Sequence, residues 1–385
     1  MKISFLIMKN ALRHPLRTSL TVLGLALAVL AFMMIRTFVD AWFAGAEAAS
    51  PNRLVTRHAV SLTFFLPIAY EDKIASVDGV NGVAAATWFG GVYKDPSNFF
   101  AQFAVEHESY FDLVPEYVVP PEQMEAFNKE RNAAIVGRAL ADRFGWALGD
   151  NVTLSGTIFP GDWEFVIRGI YTAGKEGIDE NTWFHRWDYV DETLRQITPR
   201  RAGWVGSFSV GIDDPSRAAE ISSTIDRLFA NSQAETKTET EEAFIMSFIQ
   251  MSDALIKGLN VISGLVVGVI LLVLGNTMAM TARERVSEYA LMKSLGFRTF
   301  HLVGLVFGES VFIALLGGFV GLLITVPIAG LAAMAIADFF PAFKVTAVTQ
   351  ILAMTAALVV GLLAALFPTL KAVRTPIVDG LRIIE

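Results

Sequence analysis

Two polar residues, Glu309 and Asn276, interrupt long apolar stretches. An ionisable group near mid-membrane costs about 2.5–3.5 kcal/mol on insertion scales, so Glu309 must face protein or water. It can bond between helices, or it can serve coupling or a pathway; a lone acid makes a poor proton relay. Asn276 can likewise hydrogen-bond between helices. Spacing argues against the usual catalytic chemistries. No Gly-x-x-x-x-Gly-Lys-Ser/Thr phosphate loop occurs, and Gly174-Lys175-Glu176-Gly177 lacks both its spacing and its hydroxyl. The His residues at 14, 58, 107, 185 and 301 are scattered, and His107-Glu108 lacks the second His that a zinc protease needs four residues on. There is no Cys nucleophile and no Gly-x-Ser-x-Gly elbow. Neither catalytic nor metal-ligating residues are expected. Trp183, Phe184, Trp187 and Tyr189 cluster beside His185 and Arg186, which suits either a binding platform or, more simply, a core.

The elements around these residues are membrane segments. Of the 385 residues 53% are hydrophobic and 18% charged, against roughly a quarter charged in soluble domains. Charge-free runs cover Thr18 to Ile35, Gly258 to Ala282, Leu302 to Ala337 (broken only by Glu309) and Val345 to Leu370. Each approaches or exceeds the ~20 residues that cross a hydrocarbon core of ~30 Å. Four spans are expected, at 18–40, 258–280, 301–337 and 346–370. Reading the first run as a cleaved signal peptide fits less well, because 17 residues precede it.

Lys and Arg set the orientation. Lys2, Lys9, Arg13 and Arg17 precede the first span, Arg283, Arg285, Lys293 and Arg298 follow the second, and Lys371, Arg374 and Arg382 follow the fourth, whereas the 338–345 loop has only Lys344. Both termini and the 281–300 segment are therefore expected in the cytoplasm. Segment 41–257 then lies outside, and its 18 basic and 31 acidic residues leave it at −13, which argues against nucleic acid as a partner. Residues 1–17 suit an amphipathic helix on the cytoplasmic leaflet, and 371–385 a cytoplasmic tail.

Segment 41–257 reads as an α+β domain. Strands are expected at Val152 to Leu154 and Phe165 to Tyr171, helices at Ile135 to Trp146 and Pro215 to Phe229, and a connector or edge segment at Asn231 to Glu242. From Ala243 the apolar residues keep helical spacing into the second span, which predicts one unbroken stalk helix. Thr281-Ala282-Arg283-Glu284 fits a capping box, so a short helix is expected from Thr281 to Leu295, with Lys293 in its last turn and Gly296 just past it. Small residues four apart, at Gly264/Gly268, Gly304/Gly308, Gly317/Gly321 and Gly361/Ala365, favour close helix packing.

Gly275-Asn276-Thr277-Met278, Arg283-Glu284-Arg285 and the run Glu288 to Gly296 together resemble the FtsX/MacB-like permeases of ABC systems, which include MacB, LolC and LolE. The departures are Tyr289, Ala290 and Phe297. Val136-Gly137-Arg138 with Gly149-Asp150 is similar to the family's periplasmic core domain, and Pro376 to Arg382 to its tail. The resemblance implies a permease of four spans with an α+β periplasmic domain between the first and second, in a bacterial inner membrane. It implies no ATP site on this chain: ATP and Mg would bind two copies of a separate ATPase, contacted through Arg283, Glu284, Arg285, Glu288, Lys293 and Gly296, with Glu288 and Lys293 the expected contacts. It further implies pairing with a like chain, transmission of movement to the periplasmic domain, and an adaptor, lipoprotein or outer-membrane channel as further partner. The alternative is an FtsX-like regulator of a periplasmic enzyme, which the roughly 217-residue outer segment disfavours.

Overall fold

The computed structural model describes residues 7, 11, 13–175, 177–336, 343–374 and 376. The expected leaflet helix at 1–17, the 338–345 loop and the 371–385 tail fall largely outside these residues. The chain divides into two compact units, one holding the long apolar helices and the other the segment Trp42–Met251.

In the first unit four helices are long and apolar enough to cross a membrane: α1 (Pro15–Glu47), α2 (Asp253–Glu284), α4 (Thr299–Ile336) and α5 (Ala347–Arg374). A short helix, α3 (Val286–Ser294), lies between α2 and α4 in the chain. Helices α1 and α2 extend past both ends of the apolar runs that mark them, α4 past the start of its run and α5 past the end of its run. This is a multi-pass membrane protein.

Small residues decide where the helices meet. A Cβ on Gly317 would lie 2.5 Å from Leu25 Cβ, and one on Gly321 would lie 2.8 Å from both Ala26 O and Val29 Cβ, so α4 approaches α1 at backbone distance. A Cβ on Gly361 would meet Ala314 Cβ at 2.8 Å, and Ser310 Oγ donates to Gly361 O at 2.7 Å, which closes α5 on α4. By contrast Gly264, Gly268 and Gly304 meet nothing within 4 Å.

The second unit is built on an extended sheet. Its strands are β1 (Arg53–His58), β2 (Val80–Trp88), β3 (Gly91–Val92), β4 (Ala101–Val105), β5 (Ala133–Gly137), β6 (Asn151–Gly156), β7 (Gly161–Ala173), β8 (Thr182–Arg186), β9 (Ser207–Ile212) and β10 (Thr236–Thr240). They lie in the order β10-β1-β9-β2-β4-β8-β5-β7-β6-β3, with Tyr117–Val118 pairing separately on β7. The pairs β4/β8 and β5/β7 are parallel and the others antiparallel. Alternation explains β6, where Val152 and Leu154 are buried between exposed neighbours.

Two expectations change, and of the two readings of the aromatic cluster the simpler one holds. The helix expected from Ile135 starts only at Arg138, because all five residues of β5 are buried between β8 and β7, so its continuous apolar run belongs to a central strand. The aromatic cluster is core: Trp183, Phe184 and His185 are all at most 1% exposed, and Trp183 and Phe184 enter separate apolar clusters. The stalk is two helices, Glu241–Met251 and α2, with a turn at Ser252 whose carbonyl accepts from the backbone N–H groups of Leu255 and Ile256. Ser252 makes no side-chain cap, and the apolar spacing passes across the break unchanged, so no residue pattern marks it.

Gly321→Leu should lower the stability of the purified protein by about 1–3 kcal/mol, because the α1–α4 contact has no room for a side chain. A thermal unfolding midpoint equal to that of wild type would show that α1 and α4 do not meet there.

Candidate functional site

Helix α3 is defined by how it starts and stops. Thr281, expected as its N-cap, instead lies inside α2, where its hydroxyl donates to Thr277 O at 3.0 Å. The break comes at Arg285 (φ −104°, ψ 14°), and α3 begins at Val286 without a side-chain cap. Its end matches the expectation. Gly296 has φ +86°, its N–H donates to Lys293 O at 3.1 Å, and the Phe297 N–H donates to Met292 O at 3.0 Å, which together form a Schellman motif. A residue with a Cβ at 296 would be strained.

Charged side chains at this end of the bundle bond to several helices. Arg285 donates to Glu309 Oε2 on α4 at 2.8 Å, with both side chains about 95% buried. This supplies the partner that Glu309 requires. Glu288 pairs with Arg13, just before α1, and Glu284 takes a bidentate bond from Arg17 of α1 at 2.6 and 2.7 Å. Lys293 Nζ donates to Ala372 O and Val373 O, both at 3.0 Å, in the last turn of α5, where an ammonium satisfies free carbonyls and the helix dipole. Beneath them Tyr289 is 3% exposed, and burial pushes its phenol up to about 12.

Not every expected residue joins this cluster. Asn276 is exposed and makes no side-chain hydrogen bond among the described residues; it lines an open groove with Leu20 and Val273 instead of bonding between helices. Arg283 is exposed, as are Leu291, Leu295, Phe297 and Phe300. Glu288 and Lys293, expected to reach outward, are engaged within the chain. The reason is geometric: α3 follows α2 across a single non-helical residue, which turns these two toward the bundle and leaves a different set exposed.

A second cluster lies in the sheet-bearing unit and is not foreshadowed by any motif. Arg53, 5% exposed at the start of β1, pairs with Glu241 at 2.8 Å and Glu116 at 3.3 Å, and donates to Leu113 O at 2.7 Å. Glu241 also accepts from the Ser50 N–H at 2.7 Å, and Lys175 pairs with Glu116 at 3.1 Å. Burial works against the charge on Arg53, but the hydrogen bonds and fields of Glu241 and Glu116 outweigh it and hold the guanidinium above its ordinary value. Ser50 follows α1 and Glu241 opens the helix before α2, so one buried cation joins both chain connections of this unit. The sequence signal was slight: an arginine heading an apolar strand.

Residues 18–228 match the family of the MacB-like periplasmic core domain, and residues 260–377 match the FtsX-like permease C-terminal family. Similar solved structures include the periplasmic region of MacB from Actinobacillus actinomycetemcomitans (12% identity, 53% of this chain and 95% of that one, TM-score 0.38). Another is the extracellular domain of the noncanonic ABC-type transporter YknZ from Gram-positive bacteria (16% identity, 49% of this chain and 100% of that one, TM-score 0.37). No curated protein matches the chain.

Because a buried ion pair that loses one member leaves an unmatched charge, Arg285→Met or Glu309→Leu alone should cost about 3–5 kcal/mol of stability. The double variant should recover much of that loss, as a double-mutant cycle in thermal unfolding would reveal. Additive losses would mean that the two side chains do not interact.

Proposed function

The chain belongs to the ABC-type permeases that combine a MacB-like periplasmic core domain with an FtsX-like C-terminal region, and from this we propose that it transmits the work of a separate ATPase to its outer unit. The observation that carries the proposal is the fastening of the α2–α3 region to α1, α4 and α5 by Arg17–Glu284, Arg13–Glu288, Arg285–Glu309 and Lys293. Force applied to α3 therefore reaches every long helix of the bundle without passing through a flexible joint. ATP and Mg reside on the ATPase, of which two copies serve a pair of permease chains.

The docking face follows from what remains exposed. Leu291, Leu295 and Phe297 at α3 and Arg283 at the end of α2 are all exposed, and apolar side chains with an arginine are a composition that suits a protein interface. Glu288, Lys293 and Gly296 act behind it as positioning residues. The orientation follows the basic flanks: both termini and α3 in the cytoplasm, the outer unit in the periplasm, and the spans in the inner membrane. Mechanical transmission agrees with the bundle's interior, where among the described residues Glu309 is the one buried acid and Arg285 occupies it. The substrate is a periplasmic or outer-leaflet molecule such as a lipoprotein, peptide or hydrophobic compound, received from or handed to an adaptor, lipoprotein or outer-membrane channel.

Purification in mild detergent followed by mass spectrometry should recover an ABC ATPase. The pair Arg283→Glu and Leu295→Asp should reduce that recovery about tenfold or more while leaving the thermal midpoint near wild type. Undiminished recovery would remove α3 from the interface.

Since the chain has no Cys, Glu122→Cys gives a single labelling site. Spin labels there should change their separation between paired copies when ATP binds. Arg53→Met should suppress the change without loss of the ATPase, whereas a full response in Arg53→Met would exclude Arg53 from the transmission path.

A further inference from the structure

The outer unit contains a cavity of about 420 Å³ that the transmission reading does not use. Phe64, Phe65, Phe159 and Trp204 line it, together with Arg200 and Arg201. Arg201 donates to Ile158 O at 2.9 Å, which fixes that guanidinium, while Arg200 makes no ion pair among the described residues. Among the described residues no Asp or Glu lines the cavity, although segment 41–257 carries a net charge of −13. The cavity is open to solvent, and Phe64 in its lining is 53% exposed.

Two cations without carboxylate partners beside an aromatic hollow are complementary to one kind of molecule. Guanidinium groups bind carboxylate or sulfonate through charge-assisted hydrogen bonds, and aromatic walls take up a flat or flexible apolar body. We propose that this cavity binds a small organic anion with an aromatic or acyl body, its acid group on Arg200 and Arg201 and its body against Phe65, Phe159 and Trp204. A cationic compound would meet two like charges there, so the site discriminates by sign. The binding does not depend on the ATPase, and its test does not require transport.

The probe is 8-anilinonaphthalene-1-sulfonate, added to the full chain in zwitterionic lipid nanodiscs with empty nanodiscs as the blank. Saturable fluorescence is expected, reversed by dodecanoate if an acyl acid fits and by naphthoate if an aromatic acid fits. Displacement by either supports the site, and the stronger competitor identifies the body it prefers. The double variant Arg200→Gln/Arg201→Gln should weaken binding about tenfold or more. Both arginines are exposed, so folding should survive, and circular dichroism checks it. The Arg200→Lys/Arg201→Lys variant should retain part of the affinity because it keeps the charge. Unchanged binding in the glutamine variant, no saturable signal above the blank, or equal displacement by dodecylamine would overturn the proposal.

Discussion

A guanidinium and a carboxylate facing each other at 2.8 Å inside an apolar bundle constrain the rest of the membrane unit. Neither charge tolerates burial alone, so Arg285 and Glu309 must stay together wherever α3 and α4 are. That requirement sets where α2 ends, because Arg285 is the residue at which the helix breaks. It also sets which residues of α3 face inward. Once Arg285 is anchored, Tyr289 and Ala290 are buried and Leu291 and Leu295 remain outside. The exposed surface proposed for the ATPase is thus a consequence of the buried pair.

The sheet-bearing unit uses the same physics at Arg53. A single cation with two carboxylate partners binds the chain just after α1 to the chain just before α2, both through Glu241. Its burial makes these bonds strong and also intolerant of partial disruption, since losing one carboxylate leaves the charge desolvated.

The organisation of the chain was legible in its residues because it rests on local quantities. Length and apolarity mark four spans, since each must cross the same thickness of hydrocarbon, and the match to the FtsX-like and MacB-like families agrees with that plan. Gly296 was legible as a C-cap for a similarly local reason: few residues other than glycine accept φ +86°. The helix starts at Ser252 and Arg285 were misplaced. Apolar spacing continues across the first, and the capping-box pattern at Thr281 also fits the interior of a helix that tertiary packing extends.

Residue types and order by themselves determined the spans, the acidic α+β insertion, the capped helix end and the need of Glu309 for a partner. Tertiary structure alone decided who that partner is and which charges are spent internally. A hydrogen bond between residues 24 apart, such as Arg285 to Glu309, or 188 apart, such as Arg53 to Glu241, leaves no periodic trace in sequence. Glu288 and Lys293 illustrate the difference. Their types predict polar contacts, but only the turn at Arg285 directs those contacts to Arg13 and to the carbonyls of α5.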